Sequence, residues 1–415
     1  MSRICRRTQS CLLVNSCLNY LGLDMRGRNG GTCEQIGRRR AVPVIYLRGS
    51  HYEVGYDVGR TFSSLIKDFI DTYANLRDFE KEYKTDAGRN AYEITLANMK
   101  KKYPFYINEM QGVADGAKVP FNVLFLLQMD DIIETINENH IPRQDTGGCS
   151  SIGIHTAHDA ILGHTEDAFH ETLNHFYIMS AHIIPTEEDK KLGAVEERFA
   201  SLCYAGHMPG YTMGFNANGL VFSINTLSPL ILKPGSTPRT FITRALLTAK
   251  NFDDAEKILL DEGLGVANGF SVNMIWSDIN NVRKIYNVEV APDLTSNRSL
   301  INVKHFENEP LIHTNKYLRL QLKEVNGPII DSSNARLEAI YKHRSPKNRD
   351  DIQNILSDTS RQDFHVFQDQ KESVIKTIAA GVFDLEKKTW SIYINKPNSS
   401  EPIAVLPLRF TNLEN

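Results

Sequence analysis

Apolar residues recur every three or four positions through the first third of the chain. Val54, Val58, Phe62, Leu65, Ile66, Phe69 and Ile70 form one such stripe, predicting a helix from Gly49-Ser50 to about Tyr83. A second helix is expected over about 91–102, and Pro104 and Pro120 stand where proline is tolerated, at helix starts. Residues 120–136 read as a strongly apolar helix interrupted late by Asp130-Asp131, and 41–47 read as a first strand. Beyond residue 149 the period shortens. Cys149–His155 and Ala160–His164 flank Thr156-Ala-His-Asp159 as a β-hairpin, and further strands are expected at 176–184, 197–204, 211–216 and 220–226. Asn216-Ala-Asn-Gly219 supplies the turn between the last two. Helices are expected at 239–249, 252–262, 333–343 and 349–357, strands at 270–277 and 282–291, and a closing hairpin within 378–394. This order predicts a layered α+β fold and permits two packed antiparallel sheets between helical layers.

Composition narrows the function classes. The chain has 415 residues, 41% hydrophobic and 23% charged, with net charge −3. That is ordinary globular material, and the near-neutral balance argues against a nucleic-acid surface. No apolar run approaches the ~18 residues of a membrane span. Four of the six cysteines lie in the first 33 residues and only Cys149 and Cys203 in the body. This is no disulfide framework, and it favours a reducing, cytoplasmic setting. Residues 1–40 carry Arg3, Arg6, Arg7 and Arg38-Arg39-Arg40 and read as a disordered or alternative N-terminal extension.

The densest chemistry sits at Gly147-Gly148-Cys149. A polar loop, 137–146, precedes it and the apolar run of the first hairpin follows. Such a junction suits self-cleavage. Cys149 attacks the Gly148 carbonyl, and hydrolysis leaves a new chain starting at Cys149. The new α-amine, with a reference pKa of about 7.7–8.0, can serve as base for its own thiol. The plain alternatives are a turn and a small buried hydrophobe. Asp167 follows 18 residues later, where the second hairpin strand returns beside Cys149 and a carboxylate can orient the amine. Glu166 should face the opposite way. Asn225 and Asn273 interrupt apolar strands and are candidate oxyanion donors. Arg336 can clamp a carboxylate or make a surface pair. Six of thirteen histidines fall between His155 and His182, but His155-Thr-Ala-His158 lies on a predicted turn and lacks the helix of a zinc motif, so no catalytic metal is expected.

Gly148-Cys149, Asp167, Gly214-Phe-Asn216, Asn218-Gly219-Leu220, Asn273 and His313-Thr-Asn315 resemble the acyl-coenzyme A:6-aminopenicillanate acyltransferase family of N-terminal-nucleophile hydrolases. The resemblance runs from about Ala41 to the C-terminus and implies a four-layer αββα sandwich. It implies autocleavage between Gly148 and Cys149, with 41–148 and 149–415 as the two chains of a heterodimer forming one catalytic domain. Cys149 then becomes the nucleophile, Asp167 and Asn273 catalytic partners, and Glu166, Asn225 and Arg336 substrate-binding candidates. Within the family the chain is similar to hydrolases of β-alanyl amides. That likeness implies N-β-alanyldopamine and carcinine as small-molecule substrates, and no cofactor, nucleic-acid or membrane partner. Fungal members carry Asn-Trp-Asp where this chain has Thr165-Glu166-Asp167. An acyltransferase, another amidase or a catalytically silent binding domain are the alternatives.

Overall fold

The computed structural model describes residues 38–134, 148–156, 159–278, 280–371 and 373–410. The expected extension (but for its last residues), the 137–146 loop, Gly147 and His158 lie outside them. Contacts divide the chain at residue 40, and everything below concerns residues 40–415.

Its strands are β1 (Val44–Gly49), β2 (Ser150–His155), β3 (Ala160–Phe169), β4 (Phe176–Ile183), β5 (Glu197–Tyr204), β6 (Met213–Asn216), β7 (Leu220–Leu227), β8 (Gly269–Ser277), β9 (Arg283–Pro292), β10 (Ser299–Phe306), β11 (Leu311–His313), β12 (Ile375–Asp384), β13 (Thr389–Tyr393) and β14 (Ala404–Pro407). They form an eight-stranded sheet, β1-β4-β5-β6-β7-β8-β9-β10, and a six-stranded sheet, β11-β2-β3-β12-β13-β14. All pairings are antiparallel except β1 with β4, which is parallel, so the larger sheet is mixed rather than purely antiparallel.

Helices α1 (His51–Thr61), α2 (Ser63–Thr72), α3 (Ala74–Tyr83), α4 (Asp86–Lys102), α5 (Pro104–Ala117), α6 (Phe121–Gln128) and α7 (Asp130–Glu134) precede β2. Short α8 (Glu187–Lys191) follows β4, α9 (Arg239–Leu246) and α10 (Phe252–Leu260) follow β7, and α11 (Pro328–Lys342) and α12 (Arg349–Leu356) follow β11. Three apolar cores separate four layers. One packs α1–α7, α9 and α10 on the outer face of the large sheet, through Tyr177, Met179, Phe222, Val272 and Val288. The second lies between the sheets, where Ile178, Leu202, Val221 and Ile275 meet Leu162, Phe383 and Trp390. The third packs Ile152, Ile154, Ile161 and Val382 against Ile340, Ile352 and Leu356 of α11 and α12. Both faces of each sheet are covered, which explains why many strands read as continuous apolar runs.

The long first helix expected from the sequence is three helices. Phe62 and Tyr73 leave helical geometry, which lets Phe62 stack on Tyr177 at 4.3 Å. Packing on the sheet thus overrides an unbroken apolar period. Met129 likewise breaks the 120–136 helix into α6 and α7. Strands β10, β11 and β14 have no counterpart in the sequence reading. The first mixes Asn302, Lys304 and His305 into an edge strand, the second is three residues long and the third four.

α1 starts at a capping box in which Ser50 Oγ accepts from the Glu53 N–H and Glu53 Oε2 accepts from the Ser50 N–H. It crosses α5 almost backbone on backbone. A Cβ on Gly55 would sit 1.9 Å from the Glu109 carbonyl oxygen, and one on Gly59 2.3 Å from that of Val113. Gly112 and Gly116 of α5 are reciprocal, 2.2 Å from the carbonyl oxygens of Tyr52 and Tyr56. Below this crossing, buried Arg244 binds Glu109 and Glu197, both at 2.7 Å, and His51 Nδ1 lies 2.9 Å from Glu109. Gly59→Ala should therefore lower unfolding free energy by at least about 2 kcal/mol in urea titration. Gly153→Ala, whose Cβ would meet only ordinary contacts of 3.4 Å and beyond, should cost under about 1 kcal/mol.

Candidate active site

At one end of the sandwich the inner faces of both sheets change from apolar to polar. Along β7 the inward positions run Val221, Ser223, Asn225; along β8, Ile275, Asn273, Ser271; along β9, Ile285, Asn287, Glu289. Opposite them β2 and β3 present Ser151, His164 and Glu166. All are buried, so each polar group needs a partner. They find one another. Asn287 Nδ2 donates to Asn273 Oδ1 at 2.8 Å, Asn273 Nδ2 to Asn225 Oδ1 at 2.7 Å, and Ser151 Oγ to Asn225 Oδ1 at 2.9 Å.

The chain of amides ends on Cys149, immediately before β2. Its carbonyl accepts from Asn225 Nδ2 at 2.9 Å and from Arg336 Nη1 at 2.6 Å. Arg336 is not a surface pair. It projects from α11, fully buried, and also donates to Ser150 Oγ, Asn315 Oδ1 and Ser332 Oγ at 2.9, 2.9 and 3.2 Å. These partners are neutral oxygens, and no carboxylate bonds to the guanidinium among the described residues. Gly148 is wedged beside it. A Cβ there would lie 2.2 Å from Asn315 Oδ1 and 2.9 Å from Arg336 Nη2, so only glycine fits.

Pairing of Ser150 with Thr165 returns β3 beside the thiol, and the Asp167 N–H donates to Cys149 Sγ at 3.4 Å. Burial, then the neighbouring Glu166 and Asp167 carboxylates, push the Cys149 thiol well above its usual pKa. Asp167 itself points outward. Its Oδ1 accepts from Thr377 Oγ1 at 2.6 Å beside a β-bulge in β12, and burial raises its carboxyl to about 7 despite Thr377 and Arg336. Glu166 faces inward, as strand alternation requires, and accepts from the Tyr204 hydroxyl while His164 Nε2 lies 3.0 Å from its Oε2.

Of the residues expected from the sequence, Gly148, Cys149, Asp167, Glu166, Asn225 and Arg336 come together here. Asn273 joins through Asn225 and makes no hydrogen bond of its own to Cys149. Sequence reasoning gave no site role to Ser151, Tyr204, Ser223 or Thr377, quoted Asn315 only as part of the family resemblance, and weighed His164 only among the histidines of a rejected metal reading. The alternation Ser223/Asn225, Ser271/Asn273 and Asn287/Glu289 within apolar strands was the available signal. His155 is half-exposed on β2, away from this cluster of buried groups.

A buried thiol at the head of β2, beneath a polar seam between two packed sheets, fits the sandwich of the N-terminal-nucleophile fold, and comparison with known families agrees on that fold. Residues 155–399 match the acyl-coenzyme A:6-aminopenicillanic acid acyl-transferase family, and the chain belongs to it. It is 43% identical over 380 residues, 90% of this chain and 98% of the relative, to the beta-alanyl-dopamine/carcinine hydrolase of Drosophila melanogaster.

A raised carboxyl destabilises the folded chain as it ionises. Between its ordinary 3.8 and about 7, folded Asp167 keeps a proton that the unfolded chain has lost, so its contribution to stability falls as pH rises. The full effect is on the order of 4 kcal/mol. In a Cys149→Ala background, urea unfolding between about pH 4 and pH 7.5 should show that loss, and adding Asp167→Asn should remove it.

Proposed function

We propose that this chain is a self-cleaving cysteine amidohydrolase of β-alanyl amides of biogenic amines, N-β-alanyldopamine and carcinine, working through a β-alanyl thioester on Cys149. The pinned Gly148-Cys149 junction is the observation that carries the reading, and the relative's activity supplies the substrate class. In processing, Sγ attacks the Gly148 carbonyl carbon, the C–N bond breaks as the thiol proton passes to the Cys149 nitrogen, and water hydrolyses the resulting thioester. Gly148 leaves as a carboxylate. Residues 41–148 and 149–415 then remain together as one catalytic domain of two chains.

The new α-amine lies beside Asp167. Its ammonium form offsets the buried carboxylate, and its neutral form takes the thiol proton when substrate binds. The thiolate attacks the amide carbonyl. Asn273, with Asn225 and backbone N–H groups, holds the oxyanion, and the amine departs with the proton. Water then releases β-alanine. Glu166, fixed by Tyr204 and facing the gap between the sheets, binds the substrate ammonium. Arg336 keeps the residue-149 carbonyl, and so the nucleophile, in place. The matched family's description as an acyl-transferase favours a second reading, transfer to an amine rather than water, which an added acceptor amine would expose as a new amide product.

Intact mass and N-terminal sequencing under denaturing conditions test the proposal. Two chains, one beginning at Cys149, are expected, and a single uncut chain that hydrolyses β-alanyl amides would overturn the mechanism. Cys149→Ala should remain one chain, and Arg336→Lys, which cannot reproduce the fork, should process at least about tenfold more slowly. Glu166→Gln should process normally yet raise KM for carcinine at least about tenfold, while an acetyl amide lacking the ammonium loses that discrimination.

A further inference from the structure

The thiol has two buried neighbours, His164, which the hydrolytic cycle does not use, and Glu166, assigned above to the substrate ammonium. One donor atom from each of Cys149, His164 and Glu166 lies within 4.8 Å of the other two, and all three residues are buried. Sulfur, imidazole nitrogen and carboxylate oxygen together are a zinc donor set. We infer that Cys149, His164 and Glu166 form an inhibitory site for a borderline-soft divalent cation, zinc above all, which switches the enzyme off reversibly.

The geometry is close to what such an ion needs. Ligand atoms of a tetrahedral zinc site stand roughly 3.3–3.6 Å apart. His164 Nε2 and Glu166 Oε2 already stand 3.0 Å apart. Sγ lies within 4.8 Å of both, and a modest movement of it closes the other two edges. Ser151 Oγ, 2.8 Å from His164 Nδ1, fixes the ring with Nε2 toward the site, the outer-sphere support that imidazole ligands ordinarily have. Tyr204 holds the far oxygen of Glu166 in the same way. The fourth position falls to the α-amine of Cys149, which forms a five-membered chelate with its own thiolate. That ligand rests on the cleavage proposed above, whereas the three side chains do not.

Charge favours the same ion. The Glu166 side chain lies in the buried cluster with Asp167 next to it in sequence, and a dication offsets carboxylate charge there. Binding replaces the thiol proton by the metal, and that proton leaves to solvent together with any proton held between His164 and Glu166. The ion would take the thiolate needed for attack and the carboxylate assigned to the substrate ammonium, so inhibition is competitive with a β-alanyl amide. Magnesium and calcium, which prefer all-oxygen sites, are poor occupants.

Cobalt(II) alone, titrated into the purified protein in metal-free buffer, reads the site without substrate. One ion per chain is expected, with a thiolate-to-cobalt charge-transfer band and tetrahedral visible bands, displaced by zinc. Cys149→Ser should abolish the charge-transfer band, and His164→Ala and Glu166→Gln should each weaken binding at least about tenfold. Should the variants fold poorly, the wild type still decides: zinc, but not magnesium, should protect Cys149 from iodoacetamide. Unchanged affinity in folded His164→Ala and Glu166→Gln, or no protection by zinc, would overturn the inference. A cobalt band in a protein that leaves β-alanyl amides intact would sink the proposed function and keep the metal site; hydrolysis without a band would do the reverse.

Discussion

One carbonyl group ties the layers of this protein together. The Cys149 oxygen takes a hydrogen bond from Asn225 of the large sheet and another from Arg336 of an outer helix, while Cys149 itself leads into the small sheet. Three layers are therefore registered on the residue that carries the thiol. The bond from Arg336 is charge-assisted and in a dry setting, where such bonds are strong and where leaving either partner alone is costly. Rigid placement of the backbone at position 149 is what the proposed attack on the Gly148 carbonyl requires, since such a step tolerates little error in geometry.

The electrostatics around that pin are deliberately unbalanced. Arg336 is a buried cation bonded to neutral oxygens, and Asp167 is a buried carboxyl whose titration is raised to about 7. The proposed cleavage would add an ammonium at residue 149 next to them. By contrast, the second buried charge group, Arg244 with Glu109, Glu197 and His51, pairs its charges directly and drives Glu109 down to about 2. It fastens the helical layer to the large sheet and lies on the other face of that sheet. One fold thus holds a buried cluster of directly paired charges between the helices and the large sheet and, beside the thiol, a buried cation and a buried carboxyl that are not bonded to each other.

Much of this was legible in the linear pattern. The helical stripe at Val54 to Ile70, the hairpin that returns Asp167 to Cys149 and the glycines before Cys149 each follow from local chemistry, since period, turn residues and backbone freedom are properties of neighbouring positions. The edge strand at 299–306 was not legible, because an edge needs no apolar run and its pairing comes from a strand already in place. Nor were the breaks at Phe62 and Tyr73, where packing on the large sheet outweighs helix periodicity.

For the site, the sequence by itself determined the position of the candidate thiol, its glycine neighbour and the set of polar residues embedded in apolar strands. It also determined that Glu166 and Asp167 face opposite ways, since alternation admits nothing else. Only the tertiary structure decided that Asn225 rather than Asn273 meets the Cys149 carbonyl, that Arg336 is buried against it and that His164 stands beside the thiol. Those contacts join residues up to 187 positions apart across two sheets and a helix. No local rule specifies which of several buried amides reaches a given atom, because the answer depends on how the two sheets stack.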